Sequence, residues 1–456
     1  MPIHFHNSLK RKLQTFKSIK PGQVGLYTCG PTVYNHAHIG NLRTYIFEDI
    51  LKRVLLFNGL KVKHVMNITD VGHLTSDADH GQDKMEKGAQ REGKTAWEIA
   101  EFYTQAFKQD LQDLNIIAPN RWCKATNYIK EQIKLVKILE KKGFTYITSD
   151  GVYFNTSKFK NYGELANLKA QKAPARARVS LGEKKNPTDF ALWKFSGANE
   201  KRQMEWKSPW GIGFPGWHLE CSAMSAKYLG QPFDIHCGGI DHIPIHHTNE
   251  IAQSECANDK PLANYWLHGE FLLIQDHKMA KSDDNFLTLQ SIKDKNASVL
   301  AYRYFLLQTH YRKQLNFSWQ ALQSAQNGLE HLYNLATELP TVKIAGDQNL
   351  KNKFTRYINN DLYLPGALAM IWDALKSKKI SLPALLEFDQ VLGLRIKENI
   401  KKSQATIPAS VQKLVKEREL ARQNQDWNKS DKLRNQIKKL GYTIIDTADG
   451  MKITSD

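Results

Sequence analysis

The sequence predicts an α/β protein built on a doubly wound parallel sheet. Two observations support this fold class. Apolar runs at Val24–Cys29 and Lys61–Ile68 predict strands, and apolar positions at helical spacing predict a helix over 42–58 between them. The same alternation returns over 216–274. Because a strand–helix–strand unit is a right-handed crossover in a parallel sheet, the two stretches predict one sheet split by an insertion.

The elements between and within these stretches follow from the same patterns. Amphipathic spacing predicts helices over Trp97–Leu114 and Asn127–Lys142, and Gly151–Asn155 is typical of a strand. Residues 156–213 are rich in Lys, Pro and Gly, so we expect an inserted, loop-rich region there. The resumed pattern predicts a helix, a strand, a helix and a strand over Gly216–Leu229, Phe233–Cys237, Ile245–Cys256 and Tyr265–Ile274.

Beyond residue 296 the pattern is helical. Apolar spacing predicts helices over 297–309, 317–337, 351–359, 365–377 and 383–392. A polar linker is expected at Lys401–Pro408. After it we expect a helix pair, 409–423 and 428–440, and a strand pair, 442–446 and 451–454, turned at Asp449-Gly450.

These patterns divide the chain into three predicted domains. The α/β domain spans 1–295 and contains an insertion over about 115–213. An α-helical bundle domain spans 296–400, and a small C-terminal α+β module spans 401–456. A chain of 456 residues is long enough for several such cores.

Composition limits the class of protein. The net charge of +18 points to a polyanionic partner. Five cysteines at irregular spacing argue against a disulfide framework: Cys29, Cys123, Cys221, Cys237 and Cys256. No run approaches the roughly 18 apolar residues of a membrane span. The N-terminus has no apolar signal region, so we expect a cytoplasmic protein without a membrane partner.

Two short motifs predict the halves of one nucleotide site. His38-Ile39-Gly40-Asn41 lies where the first strand gives way to the first helix, and Lys278-Met279-Ala280-Lys281-Ser282 follows the last predicted strand. A helix N-terminus suits phosphate, and Gly40 permits close approach. His36, His38 and Asn41 can donate to phosphate oxygens, and two lysines can neutralise departing pyrophosphate. Each motif alone also fits an ordinary turn or a solvated loop.

Four further residues form a plausible zinc set. Cys29 ends the first strand, Cys221 lies in the predicted helix at 216–229, and His246 and Glu250 are four apart on one helix face. Thiolates, imidazoles and carboxylates are the usual ligands of zinc. Taken alone, the cysteines also fit small buried residues, and the His/Glu pair fits a surface contact.

Together these segments closely resemble the cysteinyl-tRNA synthetase family of class I aminoacyl-tRNA synthetases. The two motifs match its HIGH and KMSKS signatures. The most specific further stretches are GWHLECS, FDIHCGG, HHTNEIAQS and NYWLHG, at 216–222, 233–239, 246–254 and 264–269. The resemblance implies a Rossmann-like catalytic domain with a connective insertion, and an anticodon-binding module at the C-terminus. It also implies ATP-dependent ligation of L-cysteine to tRNA(Cys) through cysteinyl-adenylate.

The resemblance implies a role for each matching residue. One zinc ion per chain, held by Cys29, Cys221, His246 and Glu250, would bind the substrate thiolate and make editing unnecessary, because soft thiolates bind zinc better than hydroxyls do. The cysteine pocket would be lined by Thr69, Trp217 and His236. ATP, with Mg²⁺, would meet His36, His38, Gly40, Asn41, Gly238, Gly239, Asp241 and Lys281. The catalytic residues would be His38, Asn41, Lys278 and Lys281.

The sequence departs from the family pattern in three places. Asn41 replaces the last His of the first signature, although its amide can still donate to phosphate. In the second motif Ala280 replaces Ser, and Asp283-Asp284 replaces Leu-Gly, which adds negative charge near the expected pyrophosphate. After Asp70 the chain has a longer stretch before Lys84. Its polar residues fit a flexible loop better than a second metal site: His73, Asp77, Asp79 and His80.

The C-terminal module suggests a nucleic-acid contact. Residues 401–456 carry 12 Lys and Arg against 7 Asp and Glu. Trp427 lies among Arg422, Lys429 and Arg434, so it is a candidate for stacking on tRNA, although a Trp packed between helices fits equally well.

Two rival functions stay open beside cysteine–tRNA ligation. One is a paralogue that ligates cysteine to an amino sugar, which the basic module disfavours. The other is a catalytically silent tRNA-binding paralogue, which the two retained lysines and the zinc set disfavour. We expect ATP, L-cysteine and tRNA(Cys) as partners, and the resemblance implies a monomer.

Overall fold

The computed structural model describes residues 1–73, 83–168, 183–197, 202–274, 277–278, 286–403, 408–447 and 450–455. Its centre is a parallel sheet of β3 (Gln23–Thr28), β4 (Lys61–Ile68), β5 (Arg121–Lys124), β11 (Phe233–Gly239) and β12 (Ala263–Gly269). The strand order is β12-β11-β3-β4-β5, with Val24 opposite Val62 and Thr28 opposite Cys237. The chain therefore builds outward from β3 in both directions, which confirms the doubly wound sheet.

Helices cover both faces of this sheet. They are α1 (Ile39–Phe57), α3 (Ala96–Asp113), α5 (Trp217–Leu229) and α6 (Thr248–Asn258), with α2 (Lys84–Glu92) packed on α3 and α4 (Ile129–Lys141) packed on α5 and α6. Successive residues of β3 point to opposite faces. Leu26 accordingly packs in one apolar cluster with Leu51 of α1, and Tyr27 packs in another with Met224 of α5.

The loop-rich region expected over 156–213 contains three strands that the composition did not predict. An antiparallel sheet of order β6-β7-β8-β10-β9 combines β6 (Thr145–Thr148), β7 (Gly151–Phe154), β8 (Phe190–Phe195), β9 (Trp206–Ser208) and β10 (Gly211–Pro215). β8 is almost wholly buried. Its apolar run is short, and the lysine-rich residues before it dominate the composition of the region, so the strand was not predicted. In addition, β5 falls within the range predicted for the insertion but pairs with β4 in the central sheet.

The predicted strand over Tyr265–Ile274 is also wrong as a single element. β12 ends at Gly269, and Glu270 donates its backbone N–H to the carbonyl of Tyr311. The chain then enters a separate sheet of order β14-β13-β15, formed by β13 (Leu272–Ile274), β14 (His277–Lys278) and β15 (Leu315–Phe317). A hairpin of β1 (His4–Asn7) and β2 (Lys12–Thr15) was not expected at the N-terminus.

The helical region is confirmed, with small shifts of the helix ends. It contains α7 (Leu289–Asp294), α8 (Val299–Leu307), α9 (Trp319–Thr337), α10 (Asp347–Ile358), α11 (Leu364–Lys376), α12 (Leu382–Leu392) and α13 (Ile396–Ser403). The helix α13 occupies the start of the predicted linker. The C-terminal module has the predicted order, with α14 (Ala409–Gln423), α15 (Trp427–Lys439), β16 (Tyr442–Thr447) and β17 (Gly450–Ser455). Asp449 of its expected turn lies outside the described residues. The boundaries of the three predicted domains stay predictions.

A buried arginine joins the helical region to the α/β core. Arg303 of α8 is fully buried and lies 2.6 Å from the carboxylate of Asp49 on α1. It also donates to the carbonyl oxygens of Leu392 and Leu114, at 2.7 and 3.1 Å. Residues from four helices or their ends thus meet at one guanidinium, and each of its nitrogen atoms donates a hydrogen bond to one of them. Within the described ranges, no helix is both long and apolar enough to cross a bilayer.

Candidate active site

A pocket of about 200 Å³ opens at the carboxyl ends of β3 and β11. Ligands of doubly wound sheets bind at this edge, where neighbouring crossovers leave a crevice. The lining includes six residues singled out from the sequence: Cys29, His36, Asn41, Trp217, Gly239 and Asp241. The pocket is therefore where the predicted nucleotide and zinc residues converge.

The first motif forms the N-terminal cap of α1. His38 Nδ1 accepts from the backbone N–H of Asn41 at 3.0 Å, and Asn41 Oδ1 accepts from the backbone N–H of His38 at 3.4 Å. This reciprocal pair is a capping box. It uses the amide oxygen of Asn41, so the amide nitrogen is the group left to donate to an anion. Gly40 follows the cap, and the His36 ring lies 5.0 Å from that of Tyr103.

The chain that follows the second motif reaches the first motif. Lys278 ends β14, opposite Leu273 of β13. Further on, the N–H of Ile39 donates to the carbonyl of Leu287 at 2.8 Å, and the Phe286 ring lies 5.9 Å from the His38 ring. Residues 279–285, with Ala280, Lys281, Asp283 and Asp284, lie outside the described residues. Phe286 and Leu287, which follow the second motif, are thus neighbours of the first motif in space, although some 240 residues separate the two motifs in sequence.

The four predicted zinc ligands form one buried cluster. Ligand atoms of Cys29, Cys221, His246 and Glu250 all lie within 4.8 Å of one another. The two Sγ atoms are 4.0 Å apart, Cys29 Sγ is 3.9 Å from Glu250 Oε1, and His246 Nε2 is 3.1 Å from the same oxygen. Ligands of tetrahedral zinc at normal bond lengths lie about 3.3–3.8 Å apart. The donor set and its spacing therefore fit zinc.

The four residues of the cluster have strongly shifted pKa values. Burial raises the pKa of the Cys221 thiol, but its hydrogen bond with Cys29 and the nearby His246 bring that pKa down to about 7. Burial also opposes ionisation of Glu250, yet His236 and His246 hold its pKa at about 2. Burial raises the pKa of the Cys29 thiol well above its usual value. Burial also lowers the pKa of His246, but Glu250 and Cys221 outweigh this effect and raise that pKa to about 10. Because a metal binds thiolate and neutral imidazole, loading the site would release protons from both residues.

A second set of ligands overlaps the first. Cys29, His236, His247 and Glu250 also lie within 4.8 Å of one another. His247 Nδ1 contacts His268 at 2.8 Å, and His236 Nε2 contacts Glu250 at 3.0 Å. Because both sets need Cys29 and Glu250, they describe one site. The set with two thiols suits zinc better. In the sequence, the adjacent residues His246 and His247 were the signal that could have indicated these additional imidazoles.

The residues expected to line the cysteine pocket take different positions. Trp217 begins α5 and lines the pocket, with its ring 4.5 Å from that of His246. Thr69 lies behind the wall, where its backbone N–H donates to Pro31. His236 is fully buried against Glu250 and the Trp266 ring.

The adenosine segment lies at the end of β11. Gly239 and Asp241 line the pocket. Gly238 sits just behind them, where an added Cβ would lie 2.4 Å from His242 Nδ1. Glycine is therefore required at 238 for the strand to approach the histidine cluster closely.

Sequence reasoning missed two polar residues beside the pocket. Lys84 lines it, with Nζ 5.4 Å above the Trp217 ring. His73 is buried, and its Nε2 lies 2.5 Å from Glu220 Oε1. The loop expected between Asp70 and Lys84 is therefore packed rather than flexible at His73, and it ends where α2 begins at Lys84. The residues between them, including Asp77, Asp79 and His80, lie outside the described residues.

The candidate tRNA residue lies on the surface of the C-terminal module. Trp427 begins α15 and is 58% exposed, with the Arg422 guanidinium 5.7 Å above its ring. A side chain so exposed does not fill a helix interface, so the packing alternative is disfavoured.

Comparisons with known proteins agree with this geometry. The family model for the tRNA synthetases class I (C) catalytic domain matches residues 15–327, and that for the cysteinyl-tRNA ligase anticodon binding domain matches 405–452. Cysteine–tRNA ligase 1 of Burkholderia lata is 50% identical over 99% of this chain and 97% of its own. Cysteine–tRNA ligase of Treponema denticola is 44% identical over 98% of each chain.

Solved structures show the same fold at low identity. Mycobacterium tuberculosis methionyl-tRNA synthetase in complex with methionyl-adenylate has a TM-score of 0.57 and 16% identity, over 83% of this chain and 89% of that one. Agrobacterium radiobacter LeuRS, in a ternary complex with tRNA, has a TM-score of 0.58 and 13% identity, over 85% of each chain. The full-length relatives and the two family models together show that the chain belongs to the cysteine–tRNA ligase family of class I tRNA synthetases.

Proposed function

We propose that this protein ligates L-cysteine to tRNA(Cys) with ATP, through cysteinyl-adenylate. The observation that carries the proposal is the position of the buried Cys29–Cys221–His246–Glu250 cluster beside the α1 cap, around one pocket. The cap suits a phosphate, and the cluster suits a cation that binds a thiol. Membership of the cysteine–tRNA ligase family supports the same substrates.

The chain's own residues would act chiefly by positioning and by charge. The N-terminus of α1, with the amide nitrogen of Asn41 and the ring of His36, would hold the phosphates of ATP. Gly238 and Gly239 let β11 approach the adenosine, and Asp241 would accept from ribose hydroxyls. The substrate carboxylate then attacks the α-phosphate, and the lysines of the second motif, Lys278 and Lys281, would neutralise pyrophosphate as it leaves. His38 would hold the cap in place, and Mg²⁺ would accompany ATP.

Selection of the amino acid would depend on the cluster. Zinc held by Cys29, Cys221, His246 and Glu250 would supply a soft Lewis acid for the substrate thiolate, which serine cannot match. Trp217 would form the wall beside the thiol, while Thr69 and His236 would support the pocket from behind. No covalent intermediate with the enzyme is needed. The terminal ribose of tRNA attacks the adenylate in the second step.

Cysteine-dependent exchange of pyrophosphate into ATP tests this proposal. We expect exchange with zinc-loaded protein, and its absence would contradict the enzymatic function. Cys221→Ser should lower the zinc content measured on the purified protein. Cys256→Ser is a matched control, because Cys256 is also buried but lies in a different apolar cluster. Unchanged zinc in Cys221→Ser would contradict the ligand assignment.

The remaining parts of the chain would serve tRNA. We propose residues 1–295 as the catalytic domain with its insertion over about 115–213, 296–400 as a helical bundle, and 401–456 as the anticodon-binding module. The family match over 405–452 supports the last assignment. It also disfavours an amino-sugar ligase, which has no need of such a module.

The exposed Trp427 would stack on a tRNA base. Stacking is worth about 1–3 kcal/mol, so Trp427→Ala should raise the KM for tRNA by about 5- to 100-fold in charging assays. Exchange of pyrophosphate, which needs no tRNA, should not change. Trp319→Ala is the control, because Trp319 is 38% exposed on α9. We further propose a monomer acting in the cytoplasm, and sedimentation of the purified chain tests the monomer.

A further inference from the structure

An exposed aromatic side chain lies beside the substrate pocket. Phe102 of α3 is 47% exposed, whereas Ile99, Tyr103 and Phe107 of the same helix are buried. Its ring centroid lies 6.1 Å from that of His36, which lines the pocket. A single exposed apolar side chain is common on protein surfaces, so the neighbours of Phe102 decide what this ring can bind.

Aromatic contacts hold the Phe102 ring in place. The Tyr103 ring lies 5.0 Å from it, at an interplanar angle of 85°, and the His36 ring meets it at 77°. Tyr103 and His36 also contact each other, at 5.0 Å and 90°. These three edge-to-face pairs are a favourable arrangement of aromatic rings. A ligand could therefore cover the exposed part of Phe102 without paying to order the side chain.

Charged groups surround the ring, but their signs balance. Lys94 Nζ lies 4.6 Å from the Phe102 centroid and 3.3 Å from Glu92 Oε2. Arg91 lies 2.7 Å from the other oxygen of Glu92. Glu98 is in the first turn of α3, four residues before Phe102 and on the same helix face. Two cations thus accompany two carboxylates, so a ligand held here would depend on the ring more than on charge.

The proposed reaction brings one ligand with open aromatic faces past this ring. In its second step the terminal ribose of tRNA must reach the adenylate inside the pocket. The 3′ end of tRNA is single-stranded, so its bases have no pairing partners. Proteins commonly hold such bases by stacking them on aromatic side chains. The groups of ATP already have other positions, at the α1 cap and at the end of β11.

We propose that Phe102 stacks on the unpaired tRNA base that precedes the terminal nucleotide, and so holds the terminal ribose at the pocket. The proposal rests on the proposed function and deepens it, because it assigns a contact for the second step alone. Tyr103 and His36 would keep the ring upright at the pocket edge. Lys94 would be the cation nearest to the adjoining phosphate.

A comparison of the two reaction steps tests the proposal. Phe102→Ala should lower kcat/KM for tRNA(Cys) in charging assays by about 5- to 100-fold, because stacking on one base is worth about 1–3 kcal/mol. Pyrophosphate exchange needs no tRNA, so its KM for ATP and for cysteine should not change. Phe102→Tyr should retain charging, whereas Phe102→Leu, which is apolar but not aromatic, should lose most of it. The loss should vary little with salt concentration, unlike the loss of a phosphate contact.

A fluorescent base measures the stacking itself. We would place 2-aminopurine, whose fluorescence falls when it stacks, at the position before the terminal nucleotide of tRNA(Cys). Saturating wild-type protein should quench it, and saturating Phe102→Ala should quench it much less. Trp97→Ala is the matched control, because Trp97 is also 47% exposed on α3 but its ring contacts Trp206 of β9, at 6.4 Å. It should change neither charging nor quenching.

Four results would overturn the proposal. They are an equal loss of charging in Trp97→Ala, full charging by Phe102→Leu, equal quenching by the wild type and Phe102→Ala, and a KM for ATP that rises as much as that for tRNA. The last result would mean that Phe102 acts through His36 on ATP. Each of these outcomes leaves the proposed function standing, because the wild type would still charge tRNA(Cys). Absence of charging by the wild type is the separate result that contradicts the function itself.

Discussion

Replacing Asn41 by Asp separates the two roles of this residue. Its amide oxygen caps α1 by accepting from His38, while its amide nitrogen is the donor proposed for a phosphate of ATP. In Asn41→Asp the capping acceptor remains, but the donor becomes a second carboxylate oxygen. The variant therefore keeps the structural role and removes the proposed functional one.

The two effects have opposite signs. A carboxylate in the first turn of a helix stabilises it by about 0.3–1 kcal/mol, so Asn41→Asp should unfold at the same temperature as the wild type or higher. Loss of a hydrogen bond to a charged phosphate costs about 1.5–3 kcal/mol, or roughly 10- to 100-fold in kcat/KM for ATP. Repulsion between the carboxylate and phosphate moves the expected loss toward the upper value.

Pyrophosphate exchange with varied ATP, together with thermal unfolding, measures both effects. Asn41→Ala removes the cap as well, so it should lose both stability and ATP turnover. Ser318→Ala is the control for a lost cap, since Ser318 Oγ accepts from the N–H of Ala321 at the start of α9. It should lose about 1 kcal/mol of stability with ATP kinetics unchanged. Normal kcat/KM for ATP in Asn41→Asp would refute the role of this amide in phosphate binding.

Two further predictions concern stability. Gly393 has φ of +66°, and a Cβ added there would lie 2.6 Å from the Arg303 guanidinium. Gly393→Ala should therefore destabilise the protein by more than left-handed backbone strain alone. That strain is about 1–2 kcal/mol, which is the loss expected for the comparison variant Gly59→Ala. Gly59 has φ of +79° and nothing within 4 Å, so equal melting temperatures in the two variants would contradict this role of Arg303. Burial raises the pKa of Asp110 from 3.8 to about 7, so its ionisation opposes folding and destabilises the wild type progressively as pH rises through this interval. Asp110→Asn should remove this loss of stability. Denaturant titration should therefore show a free energy of unfolding that exceeds the wild-type value by an amount that grows from pH 4 to pH 8. A difference that does not depend on pH would contradict the raised pKa of Asp110.

The local patterns of the sequence predicted the part of the fold that surrounds the site. The unit β3–α1–β4 was predicted because its strands are buried runs and its helix has regular apolar spacing. The four cluster residues were found because a family resemblance added the context that spacing alone lacked. Their convergence depends on Cys29 and Cys221, which are 192 residues apart.

The features that were missed depend on contacts between distant segments. β8 escaped because its short apolar run has meaning only when it pairs with β7 and β10. The break after β12 arises where Glu270 bonds to Tyr311, a residue from another part of the chain. His73 showed no local signal, because its burial depends on a carboxylate contributed by α5.

Charging of tRNA(Cys) with cysteine and with serine tests the central claim most directly. That claim is that the buried Cys29–Cys221–His246–Glu250 cluster selects the substrate by its thiol. Zinc-loaded protein should attach cysteine to tRNA(Cys) and give no detectable seryl-tRNA at equal amino-acid concentration. Comparable charging with serine, or undiminished selectivity in Cys221→Ser, would contradict the claim.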